Sequence, residues 1–178
     1  MGIWFAPELR ALMAETEFRS LLAADWPRVR EIYAEGIATG DATFESEPPS
    51  WEEWEAKHIG SCRIVAEQGG RVLGWAALWP ASDRCVYGGV AEVSVYVGSE
   101  ARGRGLGTAL LQALVAESEK AGYWTLQAGI FPENEASVRI HQKCGFRVLG
   151  KRKRLGKMGD TWRDVLLMER RSSKVGTD

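Results

Sequence analysis

The chain has 178 residues, 45% hydrophobic and 26% charged, a length and balance suited to one globular domain with a sizeable core. Its net charge of -1 gives no basic footprint for nucleic acid or an anionic membrane surface, and no apolar run approaches a membrane span. Cys62, Cys85 and Cys144 are odd in number and widely spaced, and His58 and His141 are the only histidines. Neither set makes a disulfide framework or a metal motif, so the expectation is no metal and a reducing cytoplasm.

Residues 1–15 read as an extension ahead of a domain over 16–171, with 172–178 as a tail. The start lacks a basic leader and a cleavage pattern, so secretion is not expected, and Met13 offers an alternative start. Phe18 to Leu22 predict a first strand. Asp25 reads as an N-cap and Pro27 as a first-turn residue for a helix carrying Val29, Ile32, Tyr33 and Ile37 at helical spacing. Ser50-Trp51-Glu52-Glu53 has the capping-box pattern for a second helix with Trp51, Trp54 and His58 at helical intervals. The charges on that helix predict an exposed His58, whereas Trp51, Trp54, Trp75 and Trp124 read as core.

Arg63 to Glu67 and Arg71 to Trp79 predict two strands joined at Gln68-Gly69-Gly70. An irregular segment, Pro80 to Gly89, precedes a strand from Val90 to Val97. The next helix ends at Gly122, Trp124 to Ile130 alternate as a strand, and Asn134 to Cys144 form a helix stopped by Gly145. Phe146 to Lys153 and Trp162 to Arg170 predict two last, paired strands. This order gives a single α/β domain with a mixed sheet. Lys151-Arg152-Lys153-Arg154 reads as a solvated strand or turn.

Arg102-Gly103-Arg104-Gly105-Leu106-Gly107 lies between the strand ending at Val97 and the helix opening with Ala109-Leu110-Leu111. A strand, a glycine turn and a helix start make an anion site of converging N–H groups and dipole charge. A P-loop needs a lysine after the last glycine, and none follows Gly107 in that frame. A dinucleotide fingerprint needs a glycine where Thr108 stands, and an acidic residue about 20 residues on. A plain strand-to-helix turn stays open on these residues alone.

The arrangement R-x-x-G-x-G, from Arg102 through Gly105 and Gly107, resembles the pyrophosphate loop of the GCN5-related N-acetyltransferases. Asn134-Glu135-Ala136-Ser137-Val138-Arg139-Ile140-His141, ending in Gly145-Phe146, resembles a later helix of that superfamily, where a Tyr commonly stands at the position of His141. Thr43-Phe44-Glu45-Ser46-Glu47-Pro48, Arg84-Cys85-Val86-Tyr87, Ala91-Glu92 and Arg139-Ile140-His141 are similar to the phosphinothricin acetyltransferase branch, which includes enzymes acting on methionine sulfoximine, methionine sulfone and arsinothricin. The resemblance covers about residues 17–170.

It implies an α/β fold whose mixed, mostly antiparallel sheet is splayed at an acetyl-CoA site, with helices on both faces. Acetyl-CoA would place its pyrophosphate on the N–H groups from Gly103 to Thr108, including Gly105, Leu106 and Gly107, with Arg102 and Arg104 adding charge or standing as solvated cations. Its pantetheine arm would pair along Val95, Tyr96 and Val97, with Asn134 bonding the arm as well as capping its helix. Lys143 matches a cofactor-contact position, or is a solvated helix lysine.

The implied reaction is acyl transfer from a thioester to an amine, which must first lose a proton. Glu92 matches the branch's catalytic carboxylate; otherwise it is a strand surface residue. His141 is the second proton-transfer candidate, to relay with Glu92 or protonate the departing thiolate; the alternative is a structural histidine. A backbone N–H near Tyr96 would hold the oxyanion. Arg84 is expected to clamp a substrate carboxylate, Cys85, Val86 and Tyr87 to contact substrate, and Phe44 to wall the pocket or fill the core. The resemblance implies a homodimer and an amino-acid-like substrate. Acetylation of peptide or protein N-termini and a CoA-binding sensor without turnover are the alternatives.

Overall fold

Alternating runs and glycine stops divide the chain into eleven principal elements, seen in a computed structural model that describes residues 15–177. They are β1 (Glu17–Ser20), α1 (Trp26–Ile37), α2 (Trp51–Lys57), β2 (Arg63–Gln68), β3 (Arg71–Pro80), β4 (Val90–Val97), α3 (Leu106–Lys120), β5 (Thr125–Ile130), α4 (Glu135–Lys143), β6 (Arg147–Met158) and β7 (Thr161–Arg171). The seven strands form one sheet in the order β1-β2-β3-β4-β5-β7-β6. Every neighbouring pair is antiparallel except β4 and β5. The expected mixed α/β sheet and element order are both present. Residues 1–14 of the expected extension, including Met13, lie outside the described residues.

Three local expectations change. The first strand ends at Ser20, because the N–H of Leu21 turns to the carbonyl of Arg63 and a short helical turn, Ala23–Asp25, follows. Asp25 does not cap α1 with its side chain. Arg19 draws that carboxylate into a two-pronged pair at 2.7 and 2.8 Å, and it also accepts from Leu22 N at 2.8 Å. The strand expected to end at Lys153 runs on to Met158 through a bulge between Arg152 and Gly156. By contrast, the capping box of α2 forms as expected, with Ser50 and Glu53 bonding each other's backbone at 3.2 and 3.0 Å.

The sheet buries a different core on each face. Leu106, Leu110, Leu111 and Leu114 of α3 pack on Ala91 and Val93 of β4 and Leu126, Ala128 and Ile130 of β5. Val29 and Ile32 of α1 and Trp54 of α2 pack on the other face against Val65, Trp75 and Ala77. Strand alternation therefore puts Glu92, Tyr96, Gln127 and Gly129 on the α1/α2 side of the sheet.

The site forms where this sheet opens. Strands β4 and β5 pair only through Val90↔Thr125, Ala91↔Leu126 and Glu92↔Gln127. Beyond Glu92, β4 stays paired with β3 as far as Gly74↔Val97, while β5 turns to β7. The edge of β4 from Val93 to Val97 thus faces a gap rather than a strand.

Candidate active site

A cavity of about 1250 Å³ runs through the gap, from the glycine turn to the aromatic residues under α1 and α2. That volume exceeds the range of about 300–1,000 Å³ typical of a site for one small molecule, and so has room for a long ligand and a second, small one. Glu92 and His141 both line it.

Glu92 occupies the last paired rung before the gap, opposite Trp79 on β3 and Gln127 on β5. Its Oε1 lies 3.7 Å from the point a side chain on Gly129 would occupy, so the missing Cβ leaves open floor beside the carboxylate. Burial pushes the Glu92 carboxyl above its ordinary value, and the positive charge of Arg152 works against that rise. A half-buried carboxylate with a raised pKa and no ion pair among the described residues is suited to receive a proton.

His141 is 3% exposed and comes from α4 on the opposite side of the sheet. Its Nδ1 is 2.8 Å from the carbonyl of Ser137. A carbonyl only accepts, so Nδ1 carries the hydrogen and the neutral ring presents a lone pair at Nε2. Nε2 is buried and has no hydrogen-bond partner among the described residues. Burial lowers the pKa of this histidine, which keeps it neutral near pH 7. Phe146 fixes the ring from one side, edge to face at 5.0 Å.

The other end of the cavity is an anion cradle. Gly103 and Gly105 have φ of +75° and +79°, values that glycine adopts without a Cβ clash. They turn the chain so that the first helical N–H with a backbone partner is Ala109, bonded to Gly105 O at 3.1 Å. Among the described residues, no bond occupies the N–H groups from Gly103 to Thr108. Arg102 leans back along the turn and its Nε donates to Val97 O at 3.1 Å. Arg102, Gly103, Gly105, Leu106, Gly107 and Thr108 line the cavity, whereas Arg104 does not. Val95, Tyr96, Val97, Asn134 and Lys143 also line it. The free donors, the unpaired edge of β4 and the size of the cavity fit a pyrophosphate with a long pantetheine arm.

Asn134 has two structural tasks. Its Oδ1 accepts from Ser137 N at 3.1 Å and caps α4, while its Nδ2 donates to Asp41 O at 3.1 Å. Arg163 holds the same loop, reaching Gly40 O at 2.9 Å and Asp41 Oδ1 at 2.6 Å. This clamp places Phe44 at the cavity wall, where its ring meets Phe131 edge to face at 4.8 Å and covers Gly156.

The remaining expected substrate residues stand elsewhere. Arg84, Cys85, Val86 and Tyr87 are exposed, and none lines the cavity. The Arg84 guanidinium lies 5.6 Å from the Tyr87 ring. In their place the cavity has Trp79, which stands beside Pro80 at the pocket-side end of its strand, together with Tyr33, Trp54, His58, Trp75 and Arg152, to which sequence reasoning assigned no pocket role. His58 is not exposed as expected: it stacks on Trp54 at 4.1 Å and lies parallel to Trp79 at 6.0 Å. Its Nδ1 donates to Trp54 O at 2.6 Å, and burial drives its pKa down to about 4. For Arg152 a signal existed: alternation within a strand turns it away from Lys151 and Lys153, whose charges act on Asp164.

Residues 17–146 match the acetyltransferase (GNAT) family. The phosphinothricin N-acetyltransferase of Alcaligenes faecalis is 36% identical over 82% of this chain and 77% of its own length. The L-methionine sulfoximine/L-methionine sulfone acetyltransferase of Pseudomonas aeruginosa is 29% identical over 82% of this chain and 88% of its own. The crystal structure of a phosphinothricin acetyltransferase from Sinorhizobium meliloti in complex with AcCoA superposes with a TM-score of 0.82, at 30% identity over 92% of each chain. The chain thus belongs to the GNAT family of acetyltransferases, enzymes whose acyl donor is acetyl-CoA.

Proposed function

We propose that this enzyme acetylates the α-amino group of a small amino acid of the phosphinothricin, methionine sulfoximine, methionine sulfone or arsinothricin type, in a detoxification role. The observation that carries this reading is the desolvated Glu92 carboxylate at the point where β4 and β5 part, on the same cavity as the N–H cradle. The relatives' names support the substrate class.

Acetyl-CoA supplies an activated acyl carbon. Glu92 takes a proton from the substrate's ammonium group, directly or through a water, and leaves the nitrogen lone pair free to form the new amide bond. The C–S bond breaks, and the second proton that the nitrogen sheds on becoming an amide passes to the departing sulfur, while Glu92 returns the first to solvent. With its hydrogen held on Nδ1, neutral His141 acts at Nε2 as an acceptor, and serves the relay with Glu92 rather than donation to sulfur from its resting state. The backbone between Val93 and Val97 is the source of the N–H that orients the acyl oxygen. The roles of Arg84, Cys85, Val86 and Tyr87 as substrate contacts rest on the resemblance alone.

We also propose a homodimer, located in the cytoplasm. Val148, Leu149 and Trp162 of the β6–β7 hairpin are 43%, 42% and 54% exposed, apolar side chains in keeping with a partner subunit. No described helix is long and apolar enough to cross a membrane. Sedimentation equilibrium tests the dimer; a monomer at micromolar concentration would contradict it.

The functional test follows free thiol released from acetyl-CoA with phosphinothricin, methionine sulfoximine, methionine sulfone, arsinothricin, ordinary amino acids and a short peptide. Turnover of one or more of the first four is expected. Turnover with the peptide alone would move the enzyme to N-terminal acetylation, and binding without turnover would make it a sensor.

A further inference from the structure

We propose that Arg152 is the receptor for the substrate's α-carboxylate, placed on the same face of the sheet as Glu92, which faces the α-ammonium. The inference rests on the amino-acid reading above and assigns the carboxylate clamp to a residue of the basic run.

The placement follows from register. Arg152 on β6 is opposite Val165 on β7, and β7 is in turn paired with β5 through Gly129↔Leu167. Val165 Cγ1 lies 3.3 Å from the point a Cβ on Gly129 would occupy, and Glu92 Oε1 lies 3.7 Å from the same point. Arg152, Val165, Gly129 and Glu92 therefore follow one another across a single face of the sheet. Gly129 has no side chain, so the floor between Glu92 and Arg152 is built from the bare glycine and the apolar Val165, neither of which offers a charge.

Of the basic run on the hairpin, Arg152 is the residue that lines the cavity. Lys151 pairs with Asp164 at 3.3 Å, and the N–H of Arg154 bonds the same carboxylate at 2.8 Å. Among the described residues Arg152 has no ion pair and no side-chain hydrogen bond, yet its charge reaches Glu92. The two groups interact across a space and do not close on each other. An α-amino acid is a zwitterion whose ammonium and carboxylate share one carbon, so it can bridge such a space with each end on its opposite charge. Arginine offers that carboxylate two parallel N–H donors. Arg84, by contrast, stands outside the cavity.

The test compares L-methionine sulfone with the amine left when its carboxylate is removed. Both are assayed with acetyl-CoA and the full chain as wild type, Arg152→Met, Arg152→Lys and Arg84→Met. A charge-assisted pair of this kind predicts that Arg152→Met lowers kcat/KM for the amino acid about 10-fold or more, chiefly through KM. Its loss on the amine is expected to be several times smaller, and Arg152→Lys should recover part of the difference. Equilibrium titration of L-methionine sulfone into the CoA-loaded protein provides a second readout, in which Arg152→Met weakens binding. Equal losses on both substrates, an unchanged binding constant, or a carboxylate-selective loss in Arg84→Met instead would overturn the assignment and leave the amino-acid reading intact. A wild type that acetylates no amino acid would overturn both.

Discussion

Glu92 and Gly129 face each other across the gap between β4 and β5, with Oε1 of Glu92 3.7 Å from where a β-carbon on Gly129 would stand. The glycine is part of the site because of what it leaves empty. A Gly129→Val substitution fills that floor and pushes against both Glu92 and Val165, while valine itself suits a strand. The expected outcome is a kcat/KM lower by about 100-fold, the scale of a small misplacement of a catalytic group, with little change in melting temperature. Kinetics and thermal unfolding on the same sample check it.

Glu92→Gln keeps the shape and removes the base. Loss of general-base catalysis predicts a fall in kcat of about 100- to 10,000-fold, with the acetyl-CoA dissociation constant unchanged by calorimetry. The wild-type pH profile has a defined sign. The carboxylate form is the active one, so kcat/KM falls as pH drops through the Glu92 pKa, which burial holds above the ordinary value of about 4.3. Removing the Arg152 charge takes away the opposing effect, so Arg152→Met should move this acid limb to higher pH.

Stability carries a separate pH signature from His58. Its pKa in the folded protein is about 4, while the unfolded chain restores about 6.5. Below the unfolded value the unfolded state binds the proton and the folded state resists it, so stability rises with pH across this window. The contribution is complete above about pH 6.5, and roughly 3 kcal/mol of it is lost on acidification to pH 4. His141, also held neutral by burial, acts in the same direction. His58→Phe retains a stacking ring and removes the titration, so urea unfolding between pH 4.5 and 7.5 should show a flatter dependence than in wild type.

Gly105→Ala tests the anion cradle. A β-carbon at φ +79° costs about 1 kcal/mol of folding stability and disturbs the N–H groups ahead of α3. The expected result is a KM for acetyl-CoA raised about 10-fold with the KM for the amine nearly unchanged, since loss of one or two charge-assisted bonds is of that size.

The path from sequence to site was uneven, for physical reasons. Glycine turns, strand alternation and the Ser50 capping box are local signals, and the elements they mark are present, with the ends of β1 and β6 displaced. The turn and the cap expected beside the cradle are local for the same cause: Gly103 and Gly105 act through their own backbone, and Asn134 caps its own helix with its side-chain oxygen. The substrate half depends on which strands become neighbours. Arg152 reaches the cavity because β6 lies beyond β7 and β7 lies beside β5, a relation no short stretch of sequence contains. His58 sits on a charged helix, but the ring is enclosed by Trp54 of its own helix and Trp79 of β3. Arg84 carried the carboxylate role on chemistry alone, and the turn Cys85–Tyr87 that follows it stands on the surface.

The central claim is acetyl transfer to an amino acid's α-nitrogen with Glu92 as the base. The most direct measurement incubates acetyl-CoA with an equal mixture of phosphinothricin, L-methionine sulfone and a short peptide, and identifies the products by mass spectrometry and NMR for wild type and Glu92→Gln. The account predicts an amide on the α-nitrogen of an amino acid in wild type and almost none with Glu92→Gln. Acetylated peptide as the sole product, or equal amino-acid product from both proteins, would contradict it.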